Sequence, residues 1–368
     1  MKKIIGQFIG SLDSGGAETI VLSIAKELDD SIVICRPNSW IESECLKRNI
    51  PCICLTNELE ALWNSRSFIN YARKFSNFLS ENKINLLHSH LYKGVLKNSL
   101  ACWFQEIPHV GTLHDSYSFD VRKTLRRFGL KICQRLGTQL ITVSESVKRI
   151  VNLKNVHVVY NGIRLKEPSK SIEEVRKNLG LSKDSFLVIS VARLIPLKRI
   201  DALIKAMFLL KDKDIKTIIV GTGPKRNYLE NLVQGLFLED QIIFLGQRND
   251  IPSLLAASDV FVLPSESEGL SCSIIEALHS SLPIIATNVG GNFELVSTTN
   301  GLLIPLSEDH SLLSNAILEI YQLSENQRNE MKRSSSKIAN EKFSLEKMIK
   351  EYCFIYETML YNNSYDPY

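Results

Sequence analysis

The sequence lacks several features that would place the protein in a special class. It has no low-complexity tract and no run of about 18 or more apolar residues, so neither a fibrous chain nor a membrane-spanning helix is expected. The first ten residues have too short an apolar part for a secretory signal, and no small-residue cleavage site follows them. We therefore expect them to form the first strand of a globular protein.

The eight cysteines form no recognisable site. They are scattered singly apart from Cys52 and Cys54, and the Cys-x-x-Cys spacing of metal and redox motifs is absent. Free thiols of this kind are typical of a reducing compartment, so we expect a cytoplasmic protein.

Length and composition favour two α/β domains. The chain has 368 residues, of which 44% are hydrophobic and 23% charged, enough for two units that each bury a core. Apolar runs alternate with amphipathic stretches, which predicts parallel sheets covered by helices.

Positive charge is concentrated in the first half. Residues 1–165 hold 22 Lys and Arg against 14 Asp and Glu, a net charge of +8, whereas residues 166–368 hold 22 against 26, a net charge of −4. The first half is therefore expected to meet an anionic partner, such as a phosphate-bearing acceptor or a membrane surface. Nucleic acid is not expected, because the sequence has no recognition motif or aromatic platform for it.

The most informative stretch is 264–278, predicted as a loop and a helix between two strands. Glu268 would lie in the loop, at the carboxyl end of a strand, where open α/β sheets bind ligands. Glu276 would lie one to two turns into the helix. Gly269 lets a ligand approach the backbone, and Ser271 is the predicted N-cap.

Such a stretch suits a ligand that has both phosphates and hydroxyl groups. Amides at a helix start bind phosphate, and carboxylates accept hydrogen bonds from hydroxyls. A nucleotide sugar has both groups. Either glutamate alone would more often be a solvated surface charge, so only the joint spacing indicates a site.

This stretch resembles the Glu-x7-Glu signature of glycosyltransferase family 4, retaining enzymes of the GT-B architecture. The similarity continues through Gly290-Gly291, Glu294-Leu295 and Asn300-Gly301-Leu302. It implies an α/β fold with two Rossmann-like, doubly wound parallel-sheet domains facing a central cleft. We expect an acceptor-binding domain at 1–165, a donor-binding domain at 166–344, and a last helix at 345–368 that crosses back to the first domain.

The resemblance implies roles for three loops in the second half. Arg193 and Lys198 match the family's phosphate-binding pair, and cations there can neutralise a leaving diphosphate. Gly221 and Gly223 match a Gly-x-Gly-Pro turn in the donor site. The loop around Arg248 matches the one that meets the nucleotide base.

The resemblance also implies roles for the residues of the Glu-x7-Glu signature. The resemblance implies that Glu268 holds hydroxyls of the sugar and Glu276 those of the ribose. The backbone at Gly269, Leu270 and Ser271 would hold the diphosphate. Ser281 departs from the pattern, because the family usually has glycine there, and a serine would be strained in a left-handed conformation.

The first half offers weaker signals. Gly15 and Gly16 match a glycine-rich loop beside the donor phosphate, although a plain tight turn explains them equally well. His114 ends a strand in a Thr-x-His-Asp element, and the resemblance implies that it contacts the transferred sugar. His88 and His90 share one face of a predicted strand, but no third metal ligand follows them, so we interpret both as structural.

Residues 121–136 predict a basic amphipathic helix. Its apolar face comprises Val121, Leu125, Phe128, Ile132 and Leu136. Its other faces hold six cations: Arg122, Lys123, Arg126, Arg127, Lys131 and Arg135. Two interpretations are equally open. The helix packs its apolar face on the sheet, or it lies on an anionic membrane, where each basic residue adds about 1 kcal/mol.

The resemblance implies a metal-independent, retaining transfer of a hexosyl or N-acetylhexosaminyl unit, with no cofactor. The donor is expected to be a nucleoside-diphosphate sugar, with UDP as the nucleotide. The acceptor is expected to be a lipid-linked precursor of a bacterial surface glycan such as O-antigen, capsule or exopolysaccharide, met at the inner leaflet of the cytoplasmic membrane. Two other classes stay open: a UDP-sugar 2-epimerase, and a non-catalytic subunit that keeps the fold.

Overall fold

The computed structural model describes residues 3–115, 123–182 and 185–362. The chain divides into two compact units, Met1–Gly162 together with Leu345–Tyr368, and Ile163–Ser344. The division falls three residues before the expected boundary at residue 165. The polar stretch 168–172 belongs to the second unit, where the Ser169 amide donates to Ser253 Oγ over 2.9 Å.

The first unit is built on a seven-stranded parallel sheet in the order β3-β2-β1-β4-β5-β6-β7. Its strands are β1 Ile4–Ile9, β2 Ser31–Cys35, β3 Cys52–Cys54, β4 Ile84–His90, β5 His109–Leu113, β6 Thr138–Thr142 and β7 Val156–Val158. Its helices are α1 Gly16–Glu27, α2 Trp40–Arg48, α3 Asn57–Asn64, α4 Phe68–Glu81, α5 Tyr92–Phe104, α6 Lys123–Arg135, α7 Glu145–Val151 and, from the end of the chain, α16 Leu345–Asn362.

The second unit is built on a six-stranded parallel sheet in the order β10-β9-β8-β11-β12-β13. Its strands are β8 Phe186–Val191, β9 Ile215–Val220, β10 Ile242–Gly246, β11 Val260–Leu263, β12 Ile284–Thr287 and β13 Gly301–Ile304. Its helices are α8 Ile172–Asn178, α9 Ile200–Phe208, α10 Arg226–Gly235, α11 Ile251–Ala256, α12 Cys272–His279, α13 Asn292–Leu295, α14 Ser311–Gln322 and α15 Glu325–Lys342.

Each sheet has its own core. The apolar side chains of the central strands are buried because helices cover both faces of a parallel sheet. In the first unit Phe8, Trp63, Tyr71 and Phe75 form an aromatic cluster with neighbouring ring centroids 5.2–5.7 Å apart. In the second unit α14 packs on the sheet through Ile317 and Ile320. Both units therefore hold their strand ends on rigid frames.

The strand order of each sheet reverses once, between β1 and β4 in the first unit and between β8 and β11 in the second. Open α/β sheets bind ligands beyond the carboxyl ends of the strands at such a switch point. The two switch points therefore define where functional residues are expected.

Helix α6 buries a different face from the one that the sequence predicted. Leu125, Phe128 and Ile132 were candidates for packing on the sheet, but they are 63%, 58% and 39% exposed. The helix contacts α5 and the sheet strand β6, and it buries Leu130 and Cys133 fully. Much of the apolar face that the sequence predicted is therefore open to solvent.

Candidate functional site

The loops that follow β8 and β11 lie on the two sides of the second unit's switch point. The first contains Arg193 and Lys198, and the second contains Glu268. A backbone hydrogen bond from Glu266 to the carbonyl of Leu197 joins them over 2.8 Å. The structure thus brings the predicted phosphate-binding loop beside the predicted sugar-binding loop.

Lys198 and Glu268 form an ion pair across these loops. Lys198 Nζ lies 2.5 Å from Glu268 Oε1, and their side chains are 19% and 8% exposed. Lys198 ends a single 3-10 turn, Pro196–Lys198, which aims its side chain toward the neighbouring loop. The pair combines a cation that can bind phosphate with a carboxylate that can bind hydroxyl groups.

The side chain of Arg193 is exposed and has no hydrogen-bond or ion-pair partner among the residues that the structure describes. Its five N–H donors are therefore available to an anion. Its loop is fixed by two glycines. A Cβ on Gly221, which has φ +133°, would lie 2.0 Å from the Ala192 carbonyl oxygen, and one on Gly223 would lie 2.5 Å from that of Leu194. Only glycine allows this close approach.

A third glycine supports the loop of Glu268. Gly290 has φ +52°, and a Cβ there would lie 1.6 Å from the carbonyl oxygen of Glu268. The backbone after β12 therefore packs directly under the loop after β11. The sequence indicates Gly290 only through the family resemblance, and its packing against the backbone of Glu268 is seen only in the structure.

Helix α12 begins where the sequence predicted. The hydroxyl of Ser271 accepts a hydrogen bond from the amide of Ile274 over 3.4 Å, which confirms Ser271 as the N-cap. Gly269 and Leu270, just before it, are buried. The donor-binding roles of these residues stay predictions.

The end of α12 has the left-handed residue anticipated from the sequence. Ser281 has φ +59°. Its amide donates to the Leu278 carbonyl over 2.9 Å, and the next amide donates to that of Ala277 over 3.0 Å. This is the Schellman arrangement, here with serine where glycine is usual.

Glu276 lies within α12, half-buried and without a hydrogen-bond or ion-pair partner among the described residues. Desolvation by burial raises the pKa of its carboxyl group to about 7. A carboxyl group in this state lacks the hydrogen-bond donors that would stabilise its charge. The hydroxyl groups of a ribose would supply them.

Arg248 is engaged within the protein. Its guanidinium donates two hydrogen bonds to Asp250, over 2.8 and 2.7 Å. These bonds lower the pKa of Asp250 to about 2, with Lys170 assisting. The side chain of Arg248 therefore holds its own loop, and any contact with a base would be made by the backbone.

The first unit's glycine loop encloses a carboxylate. Gly15 is the N-cap of α1 with extended backbone, and Gly16 is the first helical residue. Glu18 is buried and accepts a hydrogen bond from Ser11 Oγ. A Cβ on Gly15 would lie 2.7 Å from Glu18 Oε2, so the glycine makes room for that carboxylate. A donor-phosphate contact for Gly15 and Gly16 stays a prediction.

His114 lies just beyond β5, next to His90. Its Nε2 is 2.9 Å from His90 Nδ1. Both ring nitrogens of His88 and of His90 have hydrogen-bond partners, as expected for structural histidines. Burial lowers the pKa of His114 to about 3, so this ring is neutral at physiological pH.

The cations of α6 divide into two groups. Arg126 stacks on the Tyr92 ring at 5.2 Å, and Arg127 donates to the carbonyl of Ile150 over 2.8 Å, so both hold the helix in place. Lys131 and Arg135 are exposed. Arg122 lies outside the described residues, as does the side chain of Lys123.

No group of three or more His, Cys, Asp or Glu in the described part of the chain is placed to hold a metal ion. Across 3–115, 123–182 and 185–362, no helix is long and apolar enough to cross a membrane.

Two Rossmann-like units, the second with a cationic loop beside a glutamate loop at its switch point, define the GT-B class. Solved structures share this fold. Anabaena HepE in complex with UDP superposes with a TM-score of 0.83 at 24% identity, covering 97% of this chain and 100% of that one.

Comparison with family models assigns both halves. Residues 14–167 match the model described as Glycosyltransferase Family 4, and residues 171–338 match that of Glycosyl transferases group 1. The chain therefore belongs to the family 4 glycosyltransferases.

Two relatives illustrate the range of the family. A UDP-Gal:alpha-D-GlcNAc-diphosphoundecaprenol alpha-1,3-galactosyltransferase of Escherichia coli is 29% identical over 294 residues, covering 74% of this chain and 73% of that protein. The glycosyltransferase MJ1178 of Methanocaldococcus jannaschii is 28% identical, covering 94% and 95%.

Proposed function

We propose that the protein is a retaining glycosyltransferase that moves a hexosyl or N-acetylhexosaminyl unit from a UDP-sugar to a lipid-linked precursor of a surface polysaccharide, without a divalent metal. The observation behind this proposal is the second switch point. There an unpaired arginine, a lysine–glutamate pair and a helix start occupy adjoining loops. The UDP in the HepE structure and the diphosphoundecaprenol acceptor in the name of the Escherichia coli relative support the choice of donor and acceptor.

In this proposal Arg193 and Lys198 bind the diphosphate. Negative charge grows on the leaving diphosphate as the bond to the sugar breaks, and two cations with the positive end of α12 stabilise that charge. Lys198 is then shared between the phosphate and Glu268. These groups supply the positive charge that a metal ion supplies in other transferases.

The two glutamates bind hydroxyl groups. Glu268, buried against Lys198, accepts hydrogen bonds from the sugar. Glu276 accepts them from the ribose, which favours its charged form because hydrogen bonds to a carboxylate lower its pKa. His114 contacts the transferred sugar.

Retention follows from reaction on one face of the sugar. The bond from the anomeric carbon to the phosphate oxygen breaks while the acceptor oxygen bonds to the same face. The acceptor proton passes to the departing phosphate oxygen, so UDP leaves with the proton and no separate base is needed.

The direct test is to offer purified protein a panel of UDP- and GDP-sugars, with EDTA present, and to follow both binding and the products by NMR. We expect binding of a UDP-sugar and slow release of the free sugar with the donor's anomeric configuration. Release of the opposite anomer contradicts retention. Conversion to a 2-epimer identifies an isomerase, and failure to bind any nucleotide sugar identifies a non-catalytic subunit.

Helix α6 is the proposed contact with the membrane. Leu125, Phe128 and Ile132 form an exposed apolar strip, and the exposed cations Lys131 and Arg135 flank it. Such a helix binds at an interface by burying its apolar face while its basic residues attract anionic lipids. The opposite side of α6 is fixed to the first unit, so the strip is presented without unfolding. Docking there would bring the first unit to a lipid-linked acceptor.

Vesicle binding checks this contact. The wild type is expected to sediment with phosphatidylglycerol-containing vesicles and not with pure phosphatidylcholine. Phe128→Ser should weaken binding about tenfold or more, because burying a phenylalanine contributes about 1.5–3 kcal/mol. The control is Phe237→Ser, a change at an exposed phenylalanine of the second unit. Equal binding by both variants would contradict the assignment.

A further inference from the structure

A continuous chain of buried polar side chains links His114 to the last helix of the protein. His114 Nε2 lies 2.9 Å from His90 Nδ1, and His90 Nε2 lies 3.1 Å from Gln7 Oε1. Gln7 Nε2 donates to the Tyr356 hydroxyl over 3.1 Å, and that oxygen lies 2.6 Å from His88 Nδ1. All of these residues except His114 are at most 2% exposed.

The histidines of this chain are neutral. Burial lowers the pKa of His88 and His90 well below the ordinary value, and neighbouring histidines lower both further. A neutral imidazole has one nitrogen that donates a hydrogen bond and one that accepts. Fixing which atom donates at one end of this hydrogen-bonded network therefore fixes the donor and the acceptor of every bond along it.

Gln7 sets the direction, because its amide has an accepting end and a donating end. Its oxygen faces His90, so His90 must donate from Nε2 and accept at Nδ1. His114 then donates from Nε2, which leaves Nδ1 without a proton. On the other side, the Gln7 NH2 group donates to Tyr356, whose hydroxyl donates to His88.

His114 Nδ1 is the point where this chain stops. The atom is buried and has no hydrogen-bond partner among the described residues. A buried acceptor without a donor is unfavourable, so the position suits a ligand that brings an O–H or N–H group.

We propose that Gln7 and His90 are positioning residues that hold His114 with a bare Nδ1, ready to accept a hydrogen bond from a hydroxyl of the transferred sugar. This inference rests on the sugar-contacting role proposed for His114 above. It adds a selectivity that the role alone does not give, because a sugar whose hydroxyl is replaced by hydrogen or fluorine has nothing to donate. Turning the Gln7 amide around would reverse every bond and place the proton on His114 Nδ1.

The proton position can be read directly by nitrogen NMR. Protein labelled with 15N-histidine, free of ligand, gives two-bond correlations that distinguish a protonated ring nitrogen from a bare one. Loss of one signal set in His114→Asn assigns that set to His114 among the seven histidines. We expect a protonated Nε2 and a bare Nδ1. A protonated Nδ1 would overturn the proposal.

A variant then tests whether Gln7 is responsible. In Gln7→Glu the carboxylate faces His90 and favours its doubly protonated form, which donates from Nδ1 to His114 and moves the His114 proton to Nδ1. The matched control, Gln139→Glu, makes the same change on β6, where that amide donates to the Leu140 carbonyl. We expect the His114 nitrogen signals to exchange in the first variant and to stay unchanged in the control. Unchanged signals in Gln7→Glu would show that another group sets the direction.

Enzyme kinetics test whether this hydrogen-bonded network affects the transfer reaction. With the UDP-sugar that the panel identifies, Gln7→Glu should lower kcat/KM about tenfold or more. The affinity for UDP alone should stay unchanged, because the cations proposed to bind the diphosphate, Arg193 and Lys198, lie in the second unit. Equal losses for the sugar and for UDP would indicate a merely structural effect and count against the proposal. Since the NMR experiment needs no substrate, a protein that binds no nucleotide sugar overturns the proposed function and leaves the His114 assignment intact.

Discussion

The two switch points differ in how their polar groups are satisfied. In the second unit Arg193 and Glu276 have no partners among the described residues, and Arg193 is open to solvent. In the first unit Gln7 and His90 are buried and bonded to their neighbours, and the chain ends in a single bare nitrogen of His114. The second unit thus keeps charges ready for a charged ligand, while the first keeps a neutral network that also stabilises the fold.

The largest effect on stability is expected from Tyr356→Phe. Removing this hydroxyl leaves the Gln7 amide and His88 Nδ1 without partners in a buried site, at a cost of about 2–4 kcal/mol in the free energy of unfolding. Urea unfolding measures the loss. Tyr361→Phe on the same helix is the control, since Tyr361 is 68% exposed and should change stability by less than about 0.5 kcal/mol. Equal stability of the two variants would show that the buried polar network at the first switch point does not stabilise the fold.

Arg193→Ala should weaken UDP binding and leave the stability of the protein almost unchanged. The affinity for UDP is expected to fall about 10- to 100-fold, because a charged hydrogen-bond donor to phosphate contributes about 1.5–3 kcal/mol. Stability should stay within about 0.5 kcal/mol, since the side chain is exposed and unpaired. Calorimetric titration with UDP and urea unfolding give the two numbers. The control is Lys177→Ala, at an exposed cation on α8. An equal loss of UDP affinity in this variant would show that Arg193 acts only through the net charge of the protein and does not bind the phosphate.

A smaller effect is expected from pH. The raised pKa of Glu276, about 7, means that part of the protein has a neutral carboxyl group at neutral pH. If the ribose favours the carboxylate, UDP affinity rises about three- to tenfold from pH 6 to pH 8, and Glu276→Gln flattens this dependence and weakens binding. Because the folded pKa exceeds the unfolded one, Glu276 favours folding below pH 4.5 and this contribution is lost as pH rises through 7. Glu266→Gln, at an exposed position of the loop before α12, should keep the wild-type pH profile.

Local patterns predicted much of this framework. The strand predicted just before residue 264 is found at Val260–Leu263, because a buried parallel strand is apolar almost throughout. Ser271 caps its helix, and Ser281 is left-handed, because both depend on the chain within a few residues. The conformational demands of a motif can therefore be predicted from its own sequence.

Long-range features could not be predicted in the same way. Periodicity identified α6 but not which face it buries, because that depends on where its neighbours lie. The bond between Gln7 and Tyr356 joins residues 349 positions apart. One signal was available: Tyr352 and Tyr356 are one helical turn apart on an otherwise apolar face, and buried polar tips need partners. The sequence did not predict helices α2, α3, α5, α7, α9, α10, α13 and α15.

We propose above that cations of the second unit, without a metal ion, hold a nucleoside diphosphate. Calorimetric titration of the protein with UDP in EDTA tests it most directly, with Arg193→Ala and Lys198→Ala beside the wild type. We expect one UDP to bind per chain in the presence of EDTA, with an affinity at least tenfold lower in each variant. Binding that needs a divalent ion, or that both variants retain in full, would contradict it.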